Sequence, residues 1–424
     1  MKKAICIPTY NRPEAIDELL LRYKDLYQEL NYDLYIYDSS TNDHTYEVAS
    51  RYMDESETIF YTRVDSSVHS NMKVYLIYEE FMKRMESAYI WVQSDSIRWT
   101  AESLRRITDV VDSDKYSFVI PNYRDVENIG DKEYSDYNLF FRDCAWHMTL
   151  YGATIIKIQT VLAEVDWKTL KEKYGKENCI NFSHVGLYFE QIAKMKCFNA
   201  YHLGLPLFSL TSTLYKKESG WRKDTFFILC ECWPSVIRNL PNEYRYKEDV
   251  IKKNAINSGD FTFEGIKQLR IEGVLNKQVL KKYGKMWNEV SNVPLFVLQV
   301  IAILPQKLGL YVSKRYWFER KLKTKMKKFC SKFSEIYIYG CGQKGDIYGM
   351  FMEEMNISYK GFLISKGQHD KTQLRGKPVI EYDSRLLDGG KTGIILAVNE
   401  NNFTSIIKVF SQEQISSYVF CEYL

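Results

Sequence analysis

The chain has 424 residues, 45% of them hydrophobic and 26% charged, which excludes a disordered tail or one small module and leaves room for roughly two to four domains. Fifty-eight Lys and Arg against 54 Asp and Glu give a net charge of +4, too little for a nucleic-acid binder held by bulk charge. Nine scattered cysteines with no C-x-x-C pair point away from a disulfide framework or a zinc site and towards a reducing, cytoplasmic setting.

In chain order, strand and helix patterns alternate over roughly the first 200 residues, as an α/β fold with a mostly parallel sheet requires. Residues 4–7 read as a short buried strand that stops at Pro8, too short an apolar run for a secretory signal. Asn11 and Pro13 mark a helix start as cap and early-turn proline, and Ile16, Leu19, Leu20, Tyr23, Leu26 and Tyr27 recur at helical spacing. Further strands are predicted at 34–37, 58–61 and 89–92, with helices from about Thr45 and over 72–85. In open α/β sheets ligands sit beyond the carboxyl ends of the strands, so loops 8–12, 38–43 and 93–97 are expected to share one crevice.

From about 218 to 292 the pattern turns helical. Residues 293–304 are a nearly apolar run too short to span a bilayer, and between Lys314 and Lys332 nine cationic residues and one acidic residue are interleaved with Tyr316, Trp317, Phe318, Leu322, Met326 and Phe329. That combination suits an interfacial segment on an anionic membrane over 293–332; a core helix followed by a solvated linker is the alternative. After Ser334 a strand, the glycine turn Gly340-x-Gly342-x-x-Gly345 and a helix open a small βαβ module. The acidic residue that a dinucleotide fingerprint expects is missing, because the next strand ends Leu363-Ile364-Ser365-Lys366.

Pro8-Thr9-Tyr10-Asn11-Arg12-Pro13 after the first strand and Asp38-Ser39-Ser40-Thr41-Asn42-Asp43 after the second resemble the GT-A glycosyltransferases, especially the family-2 type. That resemblance implies that Pro8, Tyr10 and Arg12 line a nucleotide pocket and that Asp38 accepts hydrogen bonds from the base or ribose of a nucleotide sugar. Gln93-Ser94-Asp95-Ser96 stands where the family carries a D-x-D-type cluster holding Mg²⁺ or Mn²⁺, so Asp95 is expected to be a metal ligand with Ser94 and Ser96 beside the donor. Only one carboxylate is kept, which leaves open a metal-independent enzyme using Lys or Arg. Residues 65–73 stand where family members place a loop and helix start near the donor, so Lys73 could contact phosphate, but the favoured reading is a surface lysine of a first helical turn. Residues 150–157 resemble the segment that closes over the donor sugar. Glu190-Gln191 replaces the family's acidic pair, which implies Glu190 as base, with Asp166 and His147 as fallbacks. His202 and 219–223 fall where relatives fold over the diphosphate, and Arg222 is the phosphate-binding candidate there.

The expected architecture is an α/β GT-A domain over 1–215, a helical appendage over 216–330 and a Rossmann-like module over 331–424. The expected activity is sugar transfer, inverting by family analogy, from a nucleoside-diphosphate donor to a glycan hydroxyl. A lipid-linked acceptor in bacterial capsule or cell-wall synthesis and peripheral contact with the inner leaflet would account for 293–332. A catalytically silent assembly partner is the first alternative, suggested by Ser94 and Ser96. A nucleotidyltransferase is the second, and it would need a glycine-rich loop that 8–13 lacks.

Overall fold

The apolar runs that open the sequence become the middle of an eight-stranded sheet in the computed structural model, which describes residues 2–84, 88–123, 129–204, 207–210, 220–305, 314–366, 372–386, 391–398, 406–411, 415 and 417–420. Its strands are β1 (Lys2–Thr9), β2 (Asp33–Asp38), β3 (Ile59–Arg63), β4 (Ala88–Val92), β6 (Phe118–Pro121), β7 (Lys132–Tyr134), β8 (Ile155–Lys157) and β9 (Ala200–Leu203), in the order β3-β2-β1-β4-β8-β6-β9-β7. The first four pair in parallel, and β8 runs antiparallel between β4 and β6. Two short strands, β5 (Ile97–Trp99) and β10 (Phe208–Leu210), form an antiparallel pair of their own.

Strand β1 runs past Pro8 rather than stopping at it. Its pairing with β4 ends at Cys6 opposite Val92, while its pairing with β2 continues to Thr9 opposite Asp38. Pro8 is tolerated because β1 has lost one of its two neighbours there, and the same parting opens the sheet beyond the strand ends.

The period of two along β1 sorts its side chains onto two cores. Ile5 and Ile7 pack with Ile16, Leu19 and Leu20 of α1 (Pro13–Glu29) and with Leu104 and Ile107 of α4 (Ala101–Asp112), whereas Ala4 and Cys6 face the buried residues of α3 (Met72–Lys83) and of α7 (Ser183–Ile192). Other helices of this region are α2 (His44–Met53), α5 (Tyr137–Cys144) and α6 (Trp167–Tyr174). The second core runs on into the helical residues that follow. Phe226, Trp233, Phe261, Trp287 and Leu298 belong to it, and burying each such side chain stabilises the fold by roughly 1.5–3 kcal/mol. The helices that supply them include α8 (Trp233–Asn239), α9 (Lys247–Asn257), α10 (Phe263–Ile271), α11 (Lys277–Tyr283) and α12 (Leu295–Ile303). Thr262 caps α10 by accepting from the Gly265 amide at 3.1 Å, and Asn276 caps α11.

The chain divides into two compact units, 1–304 and 305–424. The stretch 293–332 is therefore two helices in different units. In α12, Leu298, Ile301 and Ala302 are buried, while Phe296, Val300 and Ile303 are 65%, 50% and 62% exposed. In the basic helix α13 (Lys314–Cys330), Leu322, Met326 and Cys330 recur every four residues and are buried in the core of the second unit, so its apolar stripe is used for packing. The side chains of Tyr316, Trp317 and Phe318 lie outside the described residues.

The second unit carries a six-stranded sheet, β11 (Glu335–Tyr339), β12 (Gly361–Ile364), β13 (Gln373–Leu374), β14 (Lys377–Glu381), β15 (Thr392–Leu396) and β16 (Tyr418–Phe420), in the order β13-β14-β12-β11-β15-β16. All its pairings but β13–β14 are parallel. The glycine turn joins β11 to α14 (Gln343–Glu354). Gly340 has φ +111°, and a Cβ there would lie 2.5 Å from the Ala397 carbonyl oxygen.

Among the described residues, no helix is long and apolar enough to cross a membrane.

Candidate active site

Where β1 leaves β4, three loops lock together. Asn11 has φ +50°, a left-handed conformation that Asn tolerates. That turn sends its amide to the Ser40 hydroxyl at 2.7 Å and brings its side-chain oxygen to the Thr41 amide at 3.0 Å. Asn11 is therefore not the cap of α1. Arg12 occupies that position and makes no side-chain cap bond, and Pro13 starts the helix. The Ser39 amide bonds the Thr9 carbonyl at 3.2 Å, which ties the β2 loop to the β1 loop directly.

Asp38 ends β2 fully buried, and protein donors already engage it. The Ser40 amide (2.8 Å) and hydroxyl bond Oδ1, while the Tyr61 hydroxyl (2.8 Å) and Arg63 Nη1 (3.0 Å) bond Oδ2. Four donors match the roughly four acceptor positions of a carboxylate. Asp38 thus holds Tyr61 and Arg63 over the strand end instead of presenting a bare carboxylate to a nucleoside. Arg63, more exposed, also pairs with Asp43. Tyr10, 48% exposed at the tip of the β1 loop, is the aromatic face offered beside it.

Asp95 is buried on the other side of Thr9. Arg12 Nη1 donates to its Oδ1 at 2.7 Å, Ser96 to the same oxygen at 3.1 Å, and the Thr9 hydroxyl to Oδ2 at 3.0 Å. Arg98 fixes this turn by bonding the carbonyls of Asp95 and Ile97, each at 2.9 Å, and is itself paired with Glu18. Ser94 is half-buried and Ser96 fully buried.

Lys73 lies beneath Thr9. It is buried at the start of α3, and its Nζ donates to the Thr9 carbonyl at 2.7 Å, so the surface position expected for it is overturned. Burial pulls its pKa down to about 8 even though Asp38 and Asp95 act to raise it.

These residues do not fit a divalent cation well. Both oxygens of the lone carboxylate are taken, and the group against Oδ1 is itself a cation. Among the described residues no three His, Cys, Asp or Glu gather as a ligand set. Asp95, expected as a metal ligand, is in this arrangement the anchor of Arg12.

Next to Ser94 opens a cavity of about 740 Å³. His69, Asn71 and Tyr151 line it on the sheet side, and Glu177, Phe182, Trp221, Asp224 and Phe227 on the helical side. The Tyr151 hydroxyl donates to the Asn71 side-chain oxygen at 2.6 Å, so the 65–73 and 150–157 segments meet here. The exposed indole of Trp221 makes an edge contact with the Phe182 ring at 6.5 Å.

The remaining expected site residues lie elsewhere. Glu190 is not among the cavity residues; its carboxylate takes Lys173 Nζ at 2.5 Å and the Tyr174 hydroxyl at 2.7 Å, a structural bridge between α6 and α7. Arg222 is clamped between Asp260 and Glu272, while Ser219 falls outside the described residues. Asp166 caps α6 through the Thr169 amide at 3.1 Å. His147 is a packed histidine against Trp146 and His202, held well below its ordinary pKa by burial. His202 is buried in β9 and bonds the Gly130 carbonyl at 3.0 Å. Sequence does not single out Asp224, Glu177 and Asn71 as site residues and favours Trp221, within the 219–223 segment, as core, because nothing local distinguishes a carboxylate or indole on a helical segment until the fold brings it to Ser94.

Residues 4–160 match the sequence model of glycosyl transferase family 2. No curated protein sequence matches the chain. Among solved structures, S. aureus TarS 1–349 in complex with UDP-GlcNAc is 11% identical, with 76% of this chain and 92% of that chain covered at a TM-score of 0.42. The mannosyltransferase PcManGT from Pyrobaculum calidifontis in complex with GDP-Man and Mn²⁺ is 12% identical over 70% and 86% at 0.39. Glucosyl-3-phosphoglycerate synthase from Mycobacterium tuberculosis, solved with Mn²⁺, UDP and glucosyl-3-phosphoglycerate, is 10% identical over 57% and 81% at 0.36. Likenesses this distant carry no residue roles.

Proposed function

We propose that residues 4–160, which match the model of glycosyl transferase family 2, are a glycosyltransferase domain of the GT-A type, and that the chain moves a sugar from a nucleoside-diphosphate donor to a hydroxyl of a glycan. The observation that carries this reading is the meeting of the β1, β2 and β4 loops around Thr9, with a cavity large enough for a sugar opening beside Ser94. The donor nucleoside lies along Tyr10 and Arg63, and its diphosphate lies over Arg12. The acceptor enters the cavity, where Trp221, Phe182 and Phe227 offer the apolar surfaces on which sugar rings stack.

Transfer needs a base for the acceptor hydroxyl. Glu190 is spent on Lys173 and Tyr174, so we assign the role to Asp224, which lines the cavity and has no ion pair among the described residues. Attack by that oxygen opposite the departing diphosphate gives inversion.

A lipid-linked acceptor, and with it a role in capsule or cell-wall assembly on the cytoplasmic face of a membrane, is favoured by α12. Its exposed Phe296, Val300 and Ile303 form one stripe, and α11, which packs against it, presents Lys277 and Lys281, with Lys285 just beyond.

The test is release of nucleoside diphosphate from a panel of nucleotide sugars with glycan-lipid acceptors. Asp224→Asn is expected to lower the rate by about 100-fold or more, the scale of a lost general base. Glu190→Gln should leave turnover within a few-fold and lower thermal stability instead. The reverse pattern returns the base to Glu190, and no release from any donor favours a silent assembly partner.

A further inference from the structure

We propose that Arg12, with Lys73 behind it, is the cationic grip on the donor's diphosphate, and that this grip replaces a divalent metal. The inference rests on the transferase reading above and adds how the phosphates are held.

Three observations carry it. A hard cation needs free oxygen ligands, and Asp95 has little to spare: Arg12 and Ser96 engage Oδ1 and Thr9 engages Oδ2, which leaves one acceptor position on Oδ2. The flanking Ser94 and Ser96 bring no charge, so a cation entering here would meet a guanidinium against a single neutralised carboxylate.

Second, Arg12 is only half used. Its Nη1 bonds Asp95, while Nη2 is a buried nitrogen with no hydrogen-bond partner. A buried donor left unpaired costs stability, and a phosphate oxygen arriving there recovers that cost. The planar fork suits this, because one edge can stay on Asp95 while the other pairs with phosphate.

Third, Lys73 is fixed on the carbonyl of the same residue, Thr9, whose hydroxyl holds Asp95. An ammonium has three donors, and this bond uses one. Arg12, through Asp95, and Lys73 are thus both referenced to Thr9, the last residue of β1, past the point where the pairing of β1 with β4 ends. Asp95 is then a positioning residue that aims Arg12, which accounts for one acid surviving where the family pattern has more.

The test uses the full-length protein. UDP, GDP, CDP, dTDP and ADP are screened by thermal shift, and the strongest binder is titrated calorimetrically in EDTA and in millimolar MnCl₂, with free Mn²⁺ followed by its electron paramagnetic resonance signal. The dissociation constants are expected to agree within about threefold, with no Mn²⁺ uptake at the site. Arg12→Gln should weaken binding about ten- to 100-fold, the range of a hydrogen bond to a charged group, and Arg12→Lys should recover part of the loss. Binding seen only with Mn²⁺, or tightened tenfold or more by it with that gain lost in Asp95→Asn, overturns the inference and leaves the transferase reading standing. Failure of every nucleotide in both buffers overturns the two together. The comparison of EDTA with MnCl₂ on the unaltered protein decides the matter even if Arg12→Gln fails to fold.

Discussion

Lys73 shows what burial does to a single charge. Its Nζ donates to the Thr9 carbonyl, and burial brings its pKa from about 10.5 in the unfolded chain to about 8. Between those values the unfolded chain holds the proton and the native one does not, so this residue makes stability rise with pH across that window, by up to about 1.4 kcal/mol per unit. A bound diphosphate has the opposite preference, since it favours the protonated amine. Nucleotide affinity is therefore expected to fall above about pH 8, by up to about tenfold per unit, and Lys73→Met should flatten the curve. A flat affinity from neutral pH to well above 9 in the unaltered protein would remove Lys73 from the phosphate site. From the sequence, a phosphate contact for Lys73 is open but a surface first-turn lysine is favoured, because composition around it does not reveal that the chain end of β1 will lie across it. Asp38, Asp95, Tyr10 and Arg12 were legible because their spacing after apolar strands marks them. What the spacing could not say is that Asp38 and Asp95 already have protein donors, a matter of neighbours supplied by β3 and by the β1 loop.

At the scale of elements, the strands were the most legible part, since alternation and apolar runs depend only on local burial. The helices after residue 220 were legible as helices but not as part of the first unit's core; Trp233 and Trp287 reach it through pairings the sequence does not encode locally. The run 293–304 shows the limit best. Continuous hydrophobicity left an interfacial segment and a core helix both open and did not say which face is covered; α12 buries only Leu298, Ile301 and Ala302 and leaves Phe296, Val300 and Ile303 facing out. An apolar stripe beside exposed lysines is expected to seat on an anionic bilayer. Replacing all three exposed residues with Ser should therefore cut partitioning onto phosphatidylglycerol-containing vesicles by roughly 1,000-fold or more, at about 1.5–3 kcal/mol lost for each buried side chain. Their exposure also means that the melting temperature should hardly move. Equal sedimentation of the triple variant and the parent with such vesicles would show that this stripe is not the contact.

For the whole molecule, the division at 304 sets what each part can do alone. The two cores of the first unit draw on residues from Ala4 to Ala302, and the cores of the second draw on residues from Leu322 onward. Among the described residues, both cores of the first unit are built from residues of 1–304, and the loops that carry Thr9, Asp38 and Asp95 are fixed by partners within 1–304. A chain ending at Leu304 is therefore expected to unfold cooperatively and to show the same nucleotide-induced rise in melting temperature as the full chain, since that rise depends only on affinity for the native state. The apolar stripe of α12 remains exposed in the shortened chain, so its solubility is best kept with the triple Ser substitution. A shortened, soluble chain that folds but gives no nucleotide response would mean that the second unit contributes to donor binding. The glycine turn at Gly340 would then be the first place to look, because it lies at the carboxyl end of β11, where an open parallel sheet receives its ligand.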